Sequence, residues 1–342
     1  MWQGLARLQP FAQAMRQLVA RPAIKRTIRL GFGLVSILAV GYVLVAGVGR
    51  VDWAALNIDW RYIVLAWLAT AATVGVGALG WTLLARALLP AIPAKTLTHI
   101  HLRSLLAKYL PGGVWNSASK LVLLHQLGAP AKHASLAVLL EPALLLLTGL
   151  EALLIMVSVF PSAAPWAGLS PPLLLLLLAL TTLACLSLPL LVMKIVRRNQ
   201  NPELITASSE LIPRSFITKL WMAEAVYGFS WLCLCLCFNL IVAAILPIDI
   251  KAASVTSVAT ILSFIICLVV IVIPNGIGLR ELSYSVLMSK IMDSVVAVSL
   301  GFMFRLIIAL AEVCVVMVAL GAVYLHKTRI RRKKQALTPM EY

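Results

Sequence analysis

The stretch 172–193, PLLLLLLALTTLACLSLPLLVM, contains no Asp, Glu, Lys or Arg. At about 1.5 Å of rise per residue, a helix of this length crosses the roughly 30 Å hydrocarbon core of a bilayer. The apolar residues do not alternate with polar ones, as the shorter strands of a membrane barrel would. Lipid offers the backbone no hydrogen bonds, so a spanning segment must pair its N–H and C=O groups internally, as a helix does. The stretch therefore predicts a membrane-spanning helix.

Outward from it, the same pattern predicts spans at 30–48, 62–84, 135–160, 221–246 and 295–325. Trp60 and Trp81 bound the second of these as interfacial aromatics. Across 342 residues the chain is 62% hydrophobic and only 12% charged, and its mean hydropathy is +1.00. Soluble domains carry about a quarter charged residues. The expected class is an all-α polytopic membrane protein with no sizeable soluble domain.

The formal net charge of +17 does not point to nucleic acid, because the basic residues lie between spans and at the ends. Residues 85–132 hold Arg86, Lys95, Arg103, Lys108, Lys120 and Lys132 with no acid. The loop after Met193 and the tail 326–342 are also basic. The positive-inside rule makes these segments cytoplasmic. Residues 1–29 carry Arg7, Arg16, Arg21, Lys25, Arg26 and Arg29 and read as an amphipathic helix on the cytoplasmic leaflet. No cleavable signal peptide is expected, since the first apolar stretch begins only at Leu30 and is long enough to span. The expected location is a bacterial-type inner membrane with both termini cytoplasmic. Cys185, Cys233, Cys235, Cys237, Cys267 and Cys314 lie in apolar spans and read as small hydrophobes. His99 and His101 give only a weak metal signal. No metal and no cofactor are expected.

Two segments break the pattern. One is LRSLLAKYLPGGVWNSASKLVLLHQLG (102–128), interrupted by Pro111, Gly112 and Gly113. The other is SVTSVATILSFIICLVVIVIPNGIGLRELSYSVLMSKIMDS (254–294), interrupted by Pro274, Asn275 and Gly276, with Gly278 beyond. Such breaks permit a sharp turn. Each segment reads as a re-entrant hairpin, the first entering from the cytoplasm and the second from outside. The second alternatively crosses twice, which raises the count to eight spans without changing parity. Pro111 falls on Pro274, Gly113 on Gly276 and Val114 on Ile277. Some thirty residues later a charge lies inside the next span, Glu141 in one half and Arg305 in the other, followed by Glu151 and Glu312. The expected architecture is about six full spans plus two re-entrant hairpins, in an inverted-topology repeat of 30–160 on 172–325 within one domain, 30–325.

Ionisable residues at membrane depth are costly and mark functional sites. The substrate-binding candidates are Arg305, Glu141, Glu151, Glu312, Arg280 and Glu281, with Lys108, Tyr109 and Lys120 beside the first break. Arg305 would hold an anionic phosphate headgroup. The competing reading is a set of ion pairs that fix helix packing, for example Glu141 with Arg305. Arg103, Lys108 and Lys120 would draw a phosphate toward the cytoplasmic mouth. No HExxH, GxSxG or Walker loop occurs, and no enzyme activity is expected. Asp52 and Asp59 in the first outer loop are the only acids that would suit a glycosyltransferase using a lipid-phosphate donor.

KYLPGGVW, followed by Lys120 and then Glu141, resembles one signature of the lysylphosphatidylglycerol-synthase transmembrane region, also called the flippase-like or UPF0104 integral membrane family. PNGIGLRE with Arg305 resembles the second. The resemblance covers about residues 30–325. It implies transbilayer movement of a phospholipid or lipid-linked precursor. Lipid lysylation is not expected, because the chain ends at Tyr342 soon after the last span. Two departures bear on the substrate: Pro142 follows Glu141 where the family often has a basic residue, and Pro274-Asn275-Gly276 replaces a second Pro-Gly-Gly. The expected partners are membrane lipids, an anionic phospholipid or lipid-linked phosphate, with room for a homo-oligomer. The alternative function is a membrane enzyme or accessory subunit in polyprenyl-phosphate-sugar and cell-surface polysaccharide synthesis. A third is a scaffolding membrane protein.

Overall fold

Long apolar sequences give long helices here, and polar capping residues set where they begin. In the computed structural model, residues 58–109, 114–163, 168, 170–198, 214–270, 278–289 and 291–337 are described. The expected segment 1–29, the span 30–48 and the break residues Pro111, Gly112, Gly113, Pro274, Asn275 and Gly276 lie outside the described residues, as does the side chain of Tyr109. The helices are α1 (Trp60–Leu88), α2 (Ala94–Leu105), α3 (Trp115–Gln126), α4 (Ala131–Val159), α5 (Pro171–Arg198), α6 (Arg214–Ala243), α7 (Ile250–Val269), α8 (Leu279–Leu287) and α9 (Ser294–Leu337). No strand occurs among the described residues. Asp59 caps α1 by accepting from the Arg61 N–H at 2.9 Å. Asp249 caps α7 by accepting from the Ala252 N–H at 2.6 Å. Each side chain takes up an N–H that the first helical turn leaves unpaired.

Among the described residues, six helices are long and apolar enough to cross a membrane: α1, α4, α5, α6, α7 and the first part of α9, as far as Ala319. The chain is an all-α polytopic membrane protein. Five of the six are spans expected from the sequence. The sixth, α7, is the segment that the sequence places in the first limb of the second broken region. α9 continues as one helix past the expected end of its span, to Leu337.

α1 and α6 form the central pair and run antiparallel. The Asp59 N–H donates to the Ala244 carbonyl at 2.9 Å, Thr73 meets Cys237 at 3.7 Å, and Gly80 lies under the ring of Tyr227. A Cβ on Gly80 would come within 3.0 Å of that ring, so a small residue permits the approach. α2 turns back along α1. Thr82 and Thr98 share a hydrogen bond at 2.8 Å, Gly77 faces His101, and Leu105 packs in a cluster with Ala78 and Val74. α2 and the short 3-10 turn after it therefore end opposite the middle of α1. α7 turns back along α6 in the same way. Asn239 donates to Ser257 at 3.0 Å, and Trp231 meets Phe264 edge-on. α8 then returns, stacking Tyr284 on Phe238 at 4.5 Å.

The contacts also come in pairs. α1–α2 packing is matched by α6–α7, α2–α3 by α7–α8, and α3–α4 by α8–α9. Likewise α1–α4 is matched by α6–α9, α4–α6 by α9–α1, and α4–α7 by α9–α2. Exchanging α1–α4 for α6–α9 helix by helix leaves this set unchanged. α5 packs on α4 and α6 and leaves Leu175, Leu180, Leu183 and Leu186 exposed.

Candidate functional site

Because α2 stops beside the middle of α1 and α8 begins beside Phe264 on α7, both broken regions reach the level of the middle of α1. A cavity of about 180 Å³ lies there. α1 contributes Thr70, Thr73 and Gly77 to its wall, α2 and its turn contribute His101, Leu105 and Lys108, and α7 and α8 contribute Phe264 and Arg280. α9 supplies Arg305, Ile308 and Glu312. Arg305 and Glu312 are seven residues apart, about two turns of one helix face.

The charges around the cavity pair across elements. Lys108 at the end of the 3-10 turn is ion-paired with Glu312 of α9. Arg305 Nε donates to Glu281 Oε1 at 2.7 Å. Glu281 Oε2 accepts from the backbone N–H of Gly278 at 2.9 Å. Gly278 has φ +80°, a left-handed conformation open to glycine at little cost. Glu281 thus pins the end of the second break to α9, and Gly301 lets the two helices close. A Cβ there would fall 2.8 Å from the Tyr284 ring.

Arg280 differs from its neighbours. It is only 7% exposed, its guanidinium lies 3.6 Å from the centre of the Phe264 ring, and its Nε is buried without a hydrogen-bond partner. It makes no ion pair among the described residues. With Lys108 balanced by Glu312 and Arg305 by Glu281, Arg280 is the cation left over.

A second buried pair sits beside the cavity. Lys120 on α3 is fully buried and bonded to Glu141 on α4, with its ammonium 4.2 Å from the centre of the Trp81 ring. His101 Nδ1 comes within 3.5 Å of Glu141. That nitrogen has no hydrogen-bond partner among the described residues, and the His101 ring packs on Trp81, ring centroids 6.2 Å apart.

The candidates read from the sequence thus divide. Lys108, Arg280, Arg305 and Glu312 line one cavity, and Glu281 anchors Arg305 from behind. Glu141 pairs with Lys120 and not with Arg305, so the packing pair suggested by the sequence is not formed. Lys120 is sealed in the core and does not face the mouth, whereas Arg103 is exposed. Glu151 lies elsewhere, accepting from Thr182 at 2.9 Å and from the Cys185 thiol at 3.2 Å. Thr70, Thr73 and Gly77 also line the cavity, and their only mark in the sequence is a spacing of three and four along one face of α1. No family model matches the chain, and no curated protein or solved structure matches it.

Proposed function

We infer that the chain moves an anionic lipid, a phospholipid or a lipid-linked phosphate, between the leaflets of a bacterial inner membrane. It does so by holding the headgroup in the mid-depth cavity. The observation that carries this reading is Arg280, a buried guanidinium with no ion-pair partner among the described residues. A charge at membrane depth is expensive unless something compensates it. A planar fork of donors suits a phosphate oxygen pair. The cavity of about 180 Å³ admits a phosphate but not a diacyl lipid, whose chains would stay outside in the bilayer. Arg305 acts on this reading as a positioning residue, with Glu281 fixing its direction.

The helix levels support re-entrant hairpins at α2–α3 and α7–α8, and the matched packing supports an inverted repeat with its axis between α1 and α6. Transporters built this way bind substrate near the midplane, where interrupted helices meet. Cytoplasmic termini follow from the basic flanks.

The test is lipid movement in liposomes that carry a trace of fluorescent anionic phospholipid, read with a membrane-impermeant quencher. A charged hydrogen bond is worth about 1.5–3 kcal/mol, so Arg280→Gln is expected to slow movement roughly tenfold to a hundredfold. Arg280→Lys should fall between the two, because lysine keeps the charge and loses the fork. Unchanged movement in Arg280→Gln would take the cavity out of the transport path.

A further inference from the structure

A second cavity, of about 290 Å³, lies between α4, α5 and α6. Its polar lining is Thr148 and Glu151 from α4, Thr182 and Cys185 from α5, and Trp221 and Glu224 from α6. It is near the middle of α5, so it is at membrane depth. Glu224 is only 8% exposed, and its Oε1 is buried without a hydrogen-bond partner. Glu151 is held by Thr182 and Cys185, both of which donate to it. The titratable groups lining the cavity are Glu151, Cys185 and Glu224. The other helices packed on α6, namely α1, α7 and α9, add none to the lining. Neither glutamate has an ion-pair partner among the described residues.

Two carboxylates at membrane depth cannot both stay ionised without a cation. An isolated buried carboxylate neutralises itself by taking a proton. The two sites are not alike. Glu151 already accepts two hydrogen bonds, whereas no donor reaches Glu224 Oε1. The threonine hydroxyls and the cavity volume leave room for water between them. The Glu224 oxygen that no donor reaches is therefore the place for a proton, and Glu151 shares the same cavity.

We propose that the Glu151–Glu224 cavity is a proton-binding site, separate from the headgroup cavity, and that its proton is the driving ion for lipid movement. Protonation joins H⁺ to a Glu224 oxygen. Release returns it, through cavity water, to Glu151 or to one face of the membrane. Use as a driving ion rests on the transport reading above. The protonated carboxyl does not.

The experiment takes the full chain in liposomes and reads it twice. Infrared difference spectroscopy should show a protonated-carboxyl band at neutral pH that shifts in D2O. It should be lost in Glu224→Gln and kept in Glu151→Gln. An imposed pH gradient should speed movement of the fluorescent anionic lipid in the wild type and have no effect in Glu224→Gln. If Glu224→Gln is not monodisperse, Glu224→Asp replaces it, and the band should shift in frequency. A band that persists unaltered in these variants, or is absent from the wild type, overturns the site. Acceleration by a sodium gradient at equal pH, lost in Glu224→Gln, overturns the proton in favour of a metal cation. A Glu224 band in a protein that moves no lipid leaves the proton site standing and removes the transport reading.

Discussion

Lys120 and Glu141 show how tightly one residue can be committed to one partner. The lysine is fully buried over Trp81, and Glu141 is the acid that meets it. Breaking a buried pair leaves an uncompensated charge, typically at about 3–5 kcal/mol, whereas replacing both partners with apolar residues of similar size is often neutral. Glu141→Gln should therefore lower the thermal unfolding temperature in detergent markedly. Lys120→Met combined with Glu141→Leu should recover most of it. If the double variant is as unstable as the single, the pair does more than balance charge. Arg280 behaves oppositely, because its partner is expected to come from outside the chain. Arg280→Met should leave unfolding close to the wild type, and a large loss of stability would mark it as a packing residue.

Helix contacts carry the fold through small residues at a few crossings. A Cβ on Gly149 would lie 2.6 Å from the Trp231 ring, so α4 and α6 meet closely only because position 149 is glycine. Gly75 on α1 has nothing within 4 Å of such an atom. Gly149→Val should cost about 1–3 kcal/mol by overpacking, measured as a drop in unfolding temperature, while Gly75→Ala should leave it unchanged. Equal effects would mean that the α4–α6 approach is not limiting. At this scale the sequence is most readable. The spans at 62–84, 135–160, 172–193, 221–246 and 295–325 all appear, because absence of charge over some twenty residues leaves few alternatives to a spanning helix. The depth of α7 is not legible in this way, since an apolar limb of a hairpin and a short span have the same composition. Helix partners are less legible still. Lipid-facing residues such as Leu175 and Leu183 are as apolar as buried ones such as Leu144 and Leu84, so hydrophobicity does not tell which face turns inward. Spacing could put Arg305 and Glu312 on one face, but only the depth of α8 and of the turn after α2 decides that they meet Glu281 and Lys108.

Among the described residues, α1–α4 and α6–α9 form two groups of four helices whose main helix–helix contacts match. The charge pairs follow this order with their signs reversed. In the first group α3 gives the cation and α4 the acid, as Lys120 and Glu141. In the second α8 gives the acid and α9 the cation, as Glu281 and Arg305. The basic residues flanking Asn199 assign that loop to the cytoplasm on the positive-inside rule, so a phosphatase fused after Asn199 is expected to stay inactive, and activity there would contradict the proposed orientation. On the proposed function an anionic headgroup occupies the cavity between the two broken regions. An electron cryo-microscopy map of the protein in nanodiscs of anionic phospholipid should then show headgroup density at mid-depth, within hydrogen-bond distance of Arg280, lost in Arg280→Gln. Headgroup density confined to the two leaflets, with the cavity empty of lipid, would contradict it.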